Sequence, residues 1–73
     1  MEKLINSLKK VGLSRYESQA YIGLNKIITG QADDIAKVSD LPRSRIYDIL
    51  KGLEEKGFVE IERGRPLKYT VVE

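Results

Sequence analysis

Up to Gly57 the apolar residues of this chain recur at helical spacing, and beyond it they alternate with polar ones. That one change of period decides what the chain can fold into. In "EKLINSLKKV", residues 2–11, Leu4, Ile5, Leu8 and Val11 share a helical face, with Lys9 and Lys10 in the last turn, where the backbone dipole favours cations. Gly12 ends that helix. Ser14 with Glu17 three residues on matches a capping box and opens a second helix to about Ile28. Its expected stripe is Tyr16, Ala20, Leu24 and Ile27, with Tyr21 and Ile28 on the flank and Ile22 off it, either on the surface or in a dimer contact. Gly23 inside the helix costs about 1 kcal/mol relative to alanine, which implies close packing of another element there.

A third helix is expected over about Ala32 to Ser39, burying Ile35, Ala36 and Val38 and carrying Asp33 and Asp34 in its first turn. "SDLP" makes a tight turn into a fourth helix, about Arg43 to Lys56, with Ile46, Ile49, Leu50 and Leu53 on one ~100° arc. After Gly57, "FVEIER" and "LKYTVV" read as two strands joined through Gly64-Arg65-Pro66. Seventy-three residues bury only about 60% of their unfolded surface, enough for one small core. The expected fold is α+β and mainly helical, a winged helix-turn-helix of three to four helices followed by a two-stranded hairpin. It forms one domain over 1–73, with the helix-turn-helix at about 32–56 and the wing at about 58–72.

Composition removes most chemistry. With neither cysteine nor histidine, the chain lacks the commonest zinc ligands and general base, and every Cys/His triad. Asp33-Asp34 and Glu54-Glu55 are sequence neighbours on helices, so their carboxylates diverge instead of forming an acid/base pair. Ser14 is a cap, with no base to activate it. No enzyme activity, metal or cofactor is expected. No apolar run approaches the ~20 residues of a membrane span, and the lack of cysteine fits a reducing, cytoplasmic setting.

Charge is informative by position, because the net value is only +2. Arg43, Arg45 and Lys51 face one acid, Asp48, in the fourth helix, and Arg63, Arg65 and Lys68 cluster around the hairpin tip. A cation in a helix's first turn costs roughly 0.3–1 kcal/mol in the free protein, but the same N-terminus suits a phosphate. The arrangement therefore points to double-stranded DNA, with the fourth helix entering the major groove N-terminus first. Helical geometry aims Ser44, Tyr47, Asp48 and Lys51 at base edges, while Arg43 and Arg45 straddle the groove. Asp48 either accepts from a cytosine amino group or orients Arg45 or Lys51. Arg43 and Arg45 are alternatively ordinary surface paired with Asp40 and Asp48, and Tyr47 alternatively packs between helices. "RGRP", Arg63 to Pro66, is similar to the core of the AT-hook, and arginine near a narrow minor groove meets enhanced negative potential. Arg63, Gly64, Arg65 and Lys68 are thus expected on flanking DNA.

"GLSRYESQAYIGL" and "LPRSRIYDILKGLEEKGFVE" carry a resemblance. From Gly12 to Val72 the chain resembles the winged helix-turn-helix domain of the TrmB family of transcriptional regulators, common in archaea. The resemblance implies DNA binding as a homodimer, transcriptional control, and recognition-helix roles for Arg43, Ser44, Arg45 and Tyr47. Many such regulators carry a C-terminal sugar-sensing domain, so a small-molecule effector is expected only if such a domain is missing from this chain. The expectation is a sequence-specific DNA-binding regulator. The alternative is a winged helix that docks proteins, which would favour exposed apolar residues on the fourth helix.

Overall fold

The computed structural model describes residues 2–72. Helices α1 (Glu2–Lys10), α2 (Arg15–Ile27), α3 (Ala32–Ser39) and α4 (Arg43–Glu55) precede β2 (Val59–Glu62) and β3 (Lys68–Val71), and a two-residue strand β1 (Thr29–Gly30) lies between α2 and α3. This is the expected winged helix with one addition. The two-stranded hairpin β2–β3 is joined by a third strand: β1 pairs antiparallel with β3, giving the order β1-β3-β2. Thr29 stands opposite Thr70, their hydroxyls 3.0 Å apart, and Val59, Ile61 and Glu62 stand opposite Val71, Tyr69 and Lys68.

The helix ends follow local chemistry. Gly12 and Gly57, at φ +103° and +85°, take conformations that L side chains rarely adopt, closing α1 and α4. Asp40 ends α3 in the left-handed region, which aspartate tolerates, and donates its N–H to Ala36 and Lys37 carbonyls. Pro42 is the N-cap of α4, one position before the helix proper. Leu24, Ile35, Ile46, Leu50 and Leu53 form the fully buried centre, and the wing adds Val59 and Tyr69.

Three expected burial assignments are corrected. Ile22 is buried at 9% exposure, Tyr16 is 39% exposed and Val38 is exposed. The stripe misplaced α2 because this helix is covered from two sides. Both α1 and the α3–α4 pair pack on it, so its buried arc takes in Glu17, Ser18, Ala20, Ile22, Gly23 and Leu24. Along α3 the buried positions are Ala32, Ile35, Ala36 and Ser39. Ser39 replaces Val38 because the hydroxyl fits against Gly23, where an added Cβ would strike it. The close approach implied by Gly23 is therefore that of α3. In α1 only Ile5 is buried, leaving Leu4 exposed, as is Val11 just past the helix end.

One polar cluster sets the pose of α4. Glu17 completes the capping box, its Oε1 accepting from Ser14 N at 2.8 Å while Ser14 Oγ accepts from Glu17 N at 3.1 Å. The same oxygen accepts from Lys56 Nζ at 2.6 Å, and Lys56 also donates to the Gly12 carbonyl at 2.8 Å. The other oxygen, Oε2, occupies the space a side chain at Gly52 would need. Burial raises the Glu17 pKa, but the Lys56 and Ser14 hydrogen bonds and the Lys56 charge outweigh it, holding the group below its ordinary 4.5.

A depressed carboxyl pKa contributes stability that is fully present above the unfolded value and lost as pH falls through the folded one. Glu17→Gln is expected to destabilise by about 1–3 kcal/mol at pH 7 in urea titrations, since it leaves Lys56 without its anion. That gap should narrow once the pH drops below 4.5. Gly52→Ala improves helix propensity by about 1 kcal/mol yet should lower stability, because its methyl evicts the Glu17 carboxylate. Ile28, exposed and at φ 70°, is a β-branched residue in a strained conformation, held by Val71 N donating to its carbonyl at 3.1 Å. Ile28→Gly should relieve that strain and leave stability unchanged or raised by about 1 kcal/mol, read as a higher melting temperature.

Candidate nucleic-acid interface

α4 buries Ile46, Ile49, Leu50 and Leu53 on the expected arc, and Arg43, Ser44, Arg45, Tyr47, Asp48 and Lys51 are all exposed. Its N-terminus carries no side-chain cap: Arg45 N donates to the Pro42 carbonyl at 3.1 Å, and no side chain accepts from the N–H groups that begin the helix beside two arginines. Tyr47 is 59% exposed, which argues against the interhelical packing weighed from the sequence. It lies where α4, the start of α3 and the wing meet: Gln31, Ala32, Asp33, Tyr47, Leu67 and Tyr69 line one shallow depression of about 110 Å³. Burial raises the Tyr69 pKa first of all, with Tyr47 and Glu54 adding to the rise and Arg63 opposing it. The wing and the outward shoulder of α4 thus share one side of the molecule.

The two arginines of α4 differ. Arg43 Nη2 lies 3.0 Å from Oδ1 and 3.0 Å from Oδ2 of Asp33, in the first turn of α3. The sequence considered Asp40 and Asp48 as its partners; the structure selects Asp33, ten residues upstream, because the turn brings the first turns of α3 and α4 together. This ion pair partly relieves the unfavourable placement of Arg43 against the helix dipole, although both side chains are more than half exposed and the pair contributes little stability. Among the described residues Arg45, Asp48 and Lys51 form no ion pair, so Asp48 orients neither cation here.

In the wing, Arg63, Gly64, Arg65 and Lys68 are all exposed. Arg63 Nη2 approaches Glu54 of α4 at 3.9 Å, a long contact that joins the wing to the recognition-type helix. Lys68 stands opposite Glu62 across the ribbon. Arg65 has no ion pair among the described residues. Sequence reasoning missed the partners of Asp33 and Glu54, reading each only as one of two diverging neighbours on a helix. The only signal was an acid near each basic segment, and each contact joins two successive elements across the turn between them, which the period of a single element does not show. Among the described residues no group of His, Cys, Asp and Glu could hold a metal, and no helix is long and apolar enough to cross a membrane.

An exposed cationic helix start beside a ribbon with arginines is an arrangement that neutralises and tracks a phosphate backbone. Comparison with known proteins leads the same way. The profile of a family described as sugar-specific transcriptional regulator TrmB matches residues 8–73. The chain is 45% identical over 71 residues to the HTH-type sugar sensing transcriptional regulator TrmBL1 of Pyrococcus furiosus, covering 97% of this chain and 21% of that protein. The structure of TrmBL2, an archaeal chromatin protein with a novel mode of DNA binding, superposes with a TM-score of 0.90 at 33% identity, over 99% of this chain and 28% of that one. AbfR of Staphylococcus epidermidis shares the fold, with a TM-score of 0.78 at 24% identity over 96% of this chain and 50% of that one. The chain therefore spans 21% to 28% of the length of the two archaeal relatives.

Proposed function

The chain belongs to the TrmB family of transcriptional regulators, and on that premise we propose that it binds double-stranded DNA sequence-specifically, with α4 in the major groove and the wing on flanking DNA. Two copies act together, each meeting one half-site. Ser44 and Tyr47 face base edges, and Arg43 reads a base at the rim of that face. Arg45 and Lys51 neutralise phosphates alongside Arg65 and Lys68, while Arg63 and Gly64 shape the wing tip. Response to a small-molecule effector would require a sensor domain beyond these 73 residues.

One observation carries this reading. The outward face of α4 is polar and cationic from Arg43 to Lys51, and Tyr47 on that face shares a depression with the wing residues Leu67 and Tyr69. The other exposed large apolar side chains, including Leu4, Val11, Tyr16 and Ile28, lie on other elements, so beyond the ring of Tyr47 α4 offers little apolar surface for docking a protein. The DNA binding named for the archaeal chromatin protein supports the same reading.

Selection of bound duplexes from a random pool at physiological salt tests it. A palindromic enriched site is the expected product, as two-fold symmetric protein calls for. Arg45, Lys51, Arg65 and Lys68 each meeting a phosphate predict a slope of log affinity against log salt of about −3 to −4 per protomer. Arg43→Ala should cost about 1–3 kcal/mol at one base pair and relax the preference there. Affinity indifferent to salt would refute the proposal. Equal affinity for every duplex, with the slope intact, would remove sequence specificity and leave backbone binding.

A further inference from the structure

We propose that Asp33 is the positioning residue that turns Arg43 from a phosphate contact into a base-reading one, an inference that rests on the DNA-binding reading above. The ends of the contact are fixed. Asp33 sits between the buried Ala32 and Ile35 in the first turn of α3, and that turn is held by Asp34 Oδ2 accepting from Gln31 N at 3.1 Å. Arg43 is the first residue of α4, whose next turn is anchored by the fully buried Ile46. Between these two rigid points the guanidinium is held by one nitrogen, with Nη2 at 3.0 Å from each carboxylate oxygen.

A guanidinium has five N–H donors in a planar fork. Asp33 engages only Nη2, so a two-donor edge stays free for a planar pair of acceptors such as O6 and N7 of guanine. An unrestrained arginine would sample many rotamers and settle on whichever phosphate lay nearest. Here its charge is partly matched, so the pull towards a phosphate is reduced while its hydrogen-bonding geometry is kept. Asp33 also lines the depression beside Tyr47, where its negative charge repels a sugar-phosphate strand that drifts off register. Arg45, with no ion pair among the described residues, is left as the plain phosphate contact.

The test compares wild type, Asp33→Asn, Asp33→Glu, Arg43→Ala and the Asp33→Asn/Arg43→Ala double variant on the selected duplex and on a random-sequence duplex at several salt concentrations, with thermal melts confirming that each is folded. Asp33→Asn should bind the random duplex more tightly and the selected one less tightly. The ratio should fall about fivefold or more, a sizeable part of what a bidentate arginine contact provides. On the random duplex its salt slope should steepen by about 0.9, the signature of one newly freed cation. Asp33→Glu should recover part of the ratio, and in the Arg43→Ala background Asp33→Asn should leave it unchanged. Tighter binding to both duplexes by a common factor would mean that Asp33 only repels DNA, and would overturn the proposal, as would a ratio within about twofold of wild type. Those results leave wild-type preference intact. A wild type that prefers no duplex removes the sequence-specific reading and this role together.

Discussion

The buried Glu17 carboxylate fixes where α4 can sit. A charge taken out of water must be met by partners in good geometry, and Glu17 meets Ser14 in its own cap, Lys56 beyond the end of α4, and the bare backbone of Gly52 in the middle of that helix. These contacts tie the start of α2 to the C-terminal half of α4. Apolar packing alone would permit α4 to rotate or slide a little, since similar side chains can be accommodated in neighbouring arrangements. A carboxylate seated on a glycine permits only one register. The outward face of α4 is thereby aimed by a contact on the helix flank.

Much of this was legible in the residues. The capping box at Ser14 and Glu17, the close approach at Gly23, the stop at Gly57 and the buried arc of α4 depend on neighbours within a turn or on a single period, and each appears as expected. What escaped depends on partners distant in the chain. β1 is two residues long and exists only because β3 passes beside it, so no periodicity marks it. Ile22 and Tyr16 exchanged roles because α2 is covered from two sides, which a single amphipathic stripe does not describe. Lys56 and Glu17 lie 39 residues apart, and nothing local announces their pairing.

The candidate interface divides in the same manner. The exposure of Arg43, Arg45, Tyr47 and Lys51 follows from helical geometry once the buried arc is known. The pairing of Arg43 with Asp33 instead of the sequence-adjacent Asp40 follows from how α3 and α4 cross, and it makes the two arginines of one helical turn electrostatically unequal. An acid in the first turn of α3 has a sufficient explanation in its own helix dipole, which hid its second partner.

β3 is the middle strand of its sheet, bonded to β2 on one side and to β1 on the other. A hairpin with one strand paired on both sides at its base behaves as a bracket and not as a hinge. Its tip, Arg63 to Pro66, stands at a set height and angle beside α4. A duplex that touched both would have to match that fixed spacing, so the stiffness of the nucleic acid itself would become part of what is chosen.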